Sequence, residues 1–276
     1  MVSTPSLPTV QWGPHHITRL IVGHNPLKGH SHHTKALDAE MAEWFKATPQ
    51  HGLDHLRRCQ EVGINTAQFG GPGMLSLLRE FHRQGGAMQW IATFYNKGGD
   101  KQKELDAILA MEPRPLGIQY FGERIDEMFI EKRMHQAKDW FKKIRDGGVM
   151  AGVCTHMPEV VDYVESAGWE IDFYQTCFHT VYSHSDAGAI DRGSEKFLDA
   201  DRDRMTAAIR RTSKPCIAFK ILAANRKCGD DQSLTAAFRY AFDNIKPTDV
   251  VAVGMWQKHK DQIGQNAAIV ESLLAR

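Results

Sequence analysis

The residues best suited to chemistry are histidines that follow short apolar runs. In "LIVGHNPLKGHSHH" (residues 20–33) the run breaks at Gly23, and His24, His30, His32 and His33 come after it. "VMAGVCTHM" ends on His156 and "YQTCFH" on His179. Imidazole titrates near neutral pH, so it can move a proton or offer a lone pair to a metal. His24, His156 and His179 together would suit a divalent ion such as zinc, manganese or iron, with Glu123 as a further ligand or a base. That ion would act as a Lewis acid or activate a bound water. No HxH, HExxH or CxxC motif singles out this set, and direct acid–base or substrate-binding roles stand as the equal alternative. The chain has 14 histidines, so some serve only the surface. His82, His135 and His259 fall in helical stretches and read as solvated, and His30 to His33 read equally as a polar loop.

Two further groups stand out. Lys220 lies inside "CIAFKILAAN". Desolvation there would make it a base or a Schiff-base nucleophile. The competing reading pairs it with Glu123 or Asp186 as a fixed charge. Tyr120, in "IQYFGE", is a proton donor or an amphipathic rim residue.

These side chains need a scaffold that brings distant strand ends together. Eight near-continuous apolar runs supply it: "ITRLIVG", "INTAQFG", "MQWIATFY", "LGIQYFG", "VMAGVCT", "IDFYQTCF", "PCIAFKIL" and "DVVAVGM". Continuous apolar runs mark strands covered on both faces. Helical stretches alternate with them. "PEVVDYVESAG" opens on proline and closes on Gly168, as helix ends do. "DEMFIEKRMHQAKDWFKKIRDGG" sets Phe129, Ala137, Trp140, Phe141 and Ile144 on one helical face. Eight such units predict an α/β fold, a (β/α)8 TIM barrel forming one domain over residues 1–276, and the length suits it. An open doubly wound sheet is the alternative, but the GxGxxG fingerprint is absent. "TVQWGPHHITRL" predicts an N-terminal β-hairpin capping the barrel floor. Catalytic groups of this fold sit at the C-terminal strand ends, where His24, Glu123, His156, His179 and Lys220 all lie.

Bulk properties narrow the partners. There are 34 basic and 33 acidic residues, so no charge excess points to nucleic acid or an anionic membrane. No apolar stretch approaches a membrane span, and "MVSTPSLPTVQWG" lacks a signal-peptide core. Five widely spaced cysteines predict reduced thiols and a cytoplasmic setting. The expected partner is a small-molecule substrate; the oligomeric state is open.

The chain resembles the aldo-keto reductases over most of its length. The likeness rests on the opening hairpin, "ITRLIVGHNP", "EVGINTAQFGG", "YQTCFH" and the last unit, "VVAVGMWQKHKDQIGQNAAIV". It implies a (β/α)8 barrel that uses NADPH, with Gln175 matching the glutamine that meets the nicotinamide. The family's catalytic tetrad is not retained. Gln68 stands near the end of the second strand without an acid, "IATFYN" has no lysine, and Tyr120 and Glu123 replace a histidine. Thr155 and His156 replace the serine–asparagine pair.

The leading expectation is therefore a barrel enzyme acting on a small, polar, carbohydrate-like substrate. Its chemistry would be histidine-rich, acid–base and metal-assisted, of the isomerase, lyase or hydrolase type. A divergent NADPH-dependent oxidoreductase is the alternative, and a non-catalytic binding barrel ranks last.

Overall fold

In a computed structural model, residues 7–96, 98–180, 183–184, 190–191 and 195–275 are described. Eight parallel strands close into a barrel: β3 (Leu20–Gly23), β4 (Thr66–Phe69), β5 (Gln89–Phe94), β6 (Gly117–Tyr120), β7 (Met150–Thr155), β8 (Phe173–Cys177), β11 (Cys216–Phe219) and β12 (Val250–Gly254). β12 pairs with β3 to complete the ring. β9 (Ser183–His184) and β10 (Ile190–Asp191) form a separate antiparallel pair. Helices, beginning with α1 (Lys35–Ala47), α2 (Pro49–Glu61), α3 (Pro72–Arg83) and α4 (Lys101–Leu109) and including α7 (Pro158–Ser166), fill the connections and cover the outside, so β4, β6 and β8 are buried along their whole length. The eight apolar runs thus form the barrel strands, as predicted.

The predicted hairpin is β1 (Thr9–Trp12) against β2 (His15–Thr18). Trp12 packs with Ile21, Ile91, Phe173, Ile217 and Val250 in a core cluster of its own. Its ring lies 5.7 Å from that of Phe173, and its indole N–H donates to the Thr248 carbonyl at 2.9 Å.

Phe173 fits inside the barrel because its neighbours have no side chains. A Cβ at Gly152 would lie 2.3 Å from the Phe173 ring, and one at Gly117 would lie 2.8 Å from it. Overpacking of this kind costs about 1–3 kcal/mol. Gly152→Ala should therefore lower the thermal midpoint by several degrees, and adding Phe173→Leu should recover part of the loss; a calorimetric melt of the three proteins checks this.

One helical prediction needs correction. The stretch from Asp126 to Gly148 is two helices, α5 (Gly122–Ile130) and α6 (His135–Asp146). Lys132 between them takes φ of 57°, a left-handed turn that no continuous helix accommodates. Phe129 therefore belongs to a different helix from Ala137, Phe141 and Ile144.

Candidate active site

The C-terminal strand ends surround one open cavity of about 1680 Å³, larger than the usual small-molecule pocket. His24, Glu123, His156, Gln175 and Lys220 all line it. They come from five different β–α connections or strands, so only barrel closure brings them together.

His156 follows β7 directly. Its Nδ1 lies 2.8 Å from the Asp126 carboxylate, on α5. Asp126 is fully buried and also accepts the His156 backbone N–H at 3.1 Å and the Thr155 hydroxyl. Three donors converge on one carboxylate, which fixes both its position and that of the ring. A carboxylate only accepts, so the Nδ1 proton belongs to His156 and Nε2 is the basic nitrogen. Phe219 stacks edge-on at 5.4 Å and confines the imidazole further.

His24 follows β3. Its Nδ1 donates to the Gln68 carbonyl at 2.8 Å, which leaves Nε2 to accept the Tyr95 hydroxyl at 3.1 Å. The Tyr95 oxygen in turn accepts Lys28 Nζ at 2.9 Å. Lys28, Tyr95 and His24 form a directed chain of donors. Burial pushes the Tyr95 phenol well above its ordinary value, so it remains a donor. Burial also lowers His24 to about 4, against the opposing bond to Gln68. Tyr95 is seated by Glu104, which accepts the backbone N–H groups of Tyr95 and Asn96 at 2.8 and 3.0 Å. Gly70 clears room for the ring, since a Cβ there would lie 2.9 Å from Tyr95 Cε2.

His55, outside the cavity, is likewise lowered to about 4 by burial, despite its bond to Gln257. Both histidines charge in the unfolded chain below its ordinary value of 6.5 while the folded protein resists protonation. The unfolded state then binds more protons, so stability falls as pH drops from 6.5 toward 4, by on the order of 3 kcal/mol per histidine. Urea unfolding at several pH values should show this slope, and His55→Asn should reduce it.

The cavity floor is amide-rich. Gln119 donates to Thr93 Oγ1 at 3.0 Å, and Gln68 donates to the same hydroxyl. The carboxamide oxygens of Gln119 and Gln175 are buried with no hydrogen-bond partner among the described residues. Both oxygens are closed off from solvent in this arrangement, so a ligand hydroxyl meets them only if the side chains turn toward the cavity. Trp256, with its indole N–H also unpartnered among these residues, adds a broad apolar face to the wall.

Other sequence candidates lie elsewhere. Tyr120 points away from the cavity, against Phe94 and Phe141, with its hydroxyl on Asn96. Burial pushes its phenol up to about 12. Side chains alternate along a strand, and Gln119 takes the inward place beside Thr93. His179 is buried but does not line the cavity; its Nδ1 donates to the Leu198 carbonyl at 3.1 Å. His24 spends both ring nitrogens on protein partners. Among the described residues, no three His, Cys, Asp or Glu groups are placed to hold a metal ion. His24, His156 and His179 therefore do not fit as a ligand set for zinc, manganese or iron.

Among the described residues, Lys220 has an ion pair with an acid the sequence did not single out. Its Nζ lies 3.5 Å from Glu195, while Asp186 falls outside the described residues. His259 is not helical; it lies in the loop after β12, lines the cavity and bonds Glu40 at 2.7 Å. The five cysteines are free thiols, as predicted. No described helix is long and apolar enough to cross a membrane.

Sequence reasoning missed Asp126, Lys28 and Glu195 as site residues. Asp126 had a signal: it lies one helical turn before the apolar Phe129 and Ile130, on the side they share. A carboxylate on the buried side of a helix needs a donor, and His156 is that donor.

No family model and no curated protein matches the chain. Several solved structures share its architecture. One is a Pseudomonas aeruginosa protein provisionally assigned as an aldo-keto reductase, at 14% identity and TM-score 0.59, with 97% of this chain and 94% of that one covered. A glycerol dehydrogenase from Gluconobacter oxydans aligns at 12% identity and TM-score 0.60, over 100% and 96% of the two chains. A truncated 3-deoxy-D-arabino-heptulosonate 7-phosphate synthase from Thermotoga maritima aligns at 12% identity and TM-score 0.55, over 98% and 91%. At such identities the likeness is one of fold: the chain is an α/β TIM barrel of the architecture these enzymes share.

Proposed function

We propose that the chain is a barrel enzyme that transforms a small, polar, carbohydrate-like substrate by acid–base catalysis, as an isomerase, lyase or hydrolase. One observation carries the reading: His24 and His156, from opposite parts of the chain, line one cavity and are each held through Nδ1. His156, oriented by Asp126, serves as general base through Nε2. Tyr95, with Lys28 donating to its oxygen, turns its single O–H from His24 Nε2 to a substrate oxygen when substrate binds. Lys220 stabilises negative charge, and Glu123 is a second base at the wall. The carboxamides of Gln68, Gln119 and Gln175 line the floor on which a polar substrate sits.

The test is a panel of aldoses, ketoses and sugar acids incubated with the protein in D2O and followed by NMR. One panel member should be converted by the native protein, with the rate lost in His156→Ala. Conversion unaffected by that substitution would refute the assignment.

A second reading is NADPH-dependent oxidation or reduction. The observation favouring it is Gln175, which lines the cavity and whose carboxamide oxygen has no partner among the described residues. The cavity also has volume for more than a small substrate. NADPH titrated against the native protein should shift nucleotide fluorescence, and Gln175→Leu should weaken the effect. No response at millimolar NADPH removes this reading.

A further inference from the structure

The loop after β3, the residue after β11 and the segment before α8 (Asp199–Arg211) meet at one side of the cavity mouth. They bring together His32, Lys220 and Glu195, all of which line the cavity. We propose that His32 and Lys220 form a binding site for the oxyanion group of an acidic ligand, a carboxylate or a phosphate monoester, and that Glu195 occupies this site until the ligand displaces it.

The donors are already aimed. His32 Nε2 lies 3.0 Å from the Asn25 side-chain amide nitrogen, which can only donate. The His32 proton therefore sits on Nδ1, and it meets both Glu195 oxygens, at 2.8 and 3.0 Å. Lys220 Nζ lies beside it, 3.5 Å from Glu195 Oε1 and 3.5 Å from His32 Nδ1. That distance exceeds the roughly 2.7–2.9 Å of a tight ammonium–carboxylate bond. Lys220 is thus neutralised loosely, although its side chain is only 9% exposed. Glu195 is its only ion-pair partner among the described residues.

The surroundings favour negative charge. Burial alone would raise the Glu195 carboxyl, but the His32 bond and the Lys220 charge outweigh it and hold it at about 2. A further cation stands close by. Arg226 donates to the His32 carbonyl at 3.1 Å and lies 4.1 Å from the centre of the Phe197 ring. Phe197 is two residues beyond Glu195, so the segment keeps an anchor if the carboxylate swings away. Among the described residues, two cations, Lys220 and Arg226, accompany the single Glu195 carboxylate here, which leaves charge to receive a ligand.

An internal carboxylate in an anion site competes with every external one. It lowers affinity for simple anions and spares a ligand that makes further contacts deeper in the cavity, toward His24 and His156. What that ligand then undergoes rests on the acid–base reading above. The anion site itself does not.

The experiment is calorimetric titration of the full chain with inorganic phosphate and, separately, acetate. Glu195→Gln keeps the shape and removes the competing charge, so it should bind one of the two anions about tenfold tighter than the native protein. Adding Lys220→Met should cancel the gain. Stronger phosphate binding identifies a phosphate monoester as the ligand group, and stronger acetate binding a carboxylate. Should Glu195→Gln fold poorly, as read from its melt, Lys220→Met alone decides: it should abolish the weak anion binding of the native protein. Unchanged or weaker anion binding in folded Glu195→Gln, or native-like binding in Lys220→Met, overturns the proposal. No arm requires turnover, so its failure is distinct from failure of the catalytic reading.

Discussion

Replacing Asp126 with alanine should lower the unfolding free energy by about 3–5 kcal/mol, because it strands buried donors that have this carboxylate as their partner. The Thr155 hydroxyl and the backbone and ring N–H groups of His156 all converge on it. For a chain of this size the loss amounts to roughly 10 °C in the melt. Asp126→Asn separates structure from chemistry. Its amide oxygen still accepts from the backbone and from Thr155, so the fold survives with a smaller loss. Its NH2 group, however, turned toward Nδ1, can only donate. That moves the His156 proton to Nε2 and removes the base. The rate on the substrate identified by the panel should fall about 10²–10⁴-fold, the range that a positioned acid–base group contributes. Equal rates for Asp126→Asn and native protein would show that the tautomer does not matter.

The second large effect concerns Tyr95. Tyr95→Phe deletes one oxygen and keeps the ring against Phe121, 4.9 Å away between centres. It breaks the link from Lys28 to His24. Stability should change by about 1 kcal/mol, the net worth of a typical hydrogen bond. The rate should fall about 10²-fold or more, the lower range for loss of a proton donor. Steady-state kinetics beside a denaturant melt reads both. A rate loss that merely tracks the stability loss would assign Tyr95 a packing role.

The eight strands were legible because burial on both faces writes a continuous apolar run, and glycines mark where helices stop. His24, His156 and Lys220 were legible for a related reason: they are polar residues at the point where such a run ends. The inward or outward sense of each side chain was not. In a run such as "LGIQYFG" both parities are apolar enough to be buried, so Tyr120 and Gln119 could not be told apart. Register decides it, since Thr93 sits opposite Gln119 and Phe94 opposite Tyr120. His179 shows the same limit. It stands two residues past β8, yet it is buried beneath Leu198 and Phe197 rather than open to the cavity. Partners carried by other elements were least visible of all. Asp126 is 30 residues from His156, and Glu195 is 163 from His32. Pairing of β6 with β7 brings the first two together, and barrel closure brings the second two together.

The central claim is that His24 and His156 act over one cavity, each with its proton on Nδ1. Nitrogen-15 NMR of the imidazoles, during a titration with the substrate that passes the sugar panel, tests it most directly. Both rings should show protonated Nδ1 and unprotonated Nε2 before addition, and both should shift along one binding curve with a single dissociation constant. A substrate that is turned over while moving neither ring, or only one of them, would contradict the account.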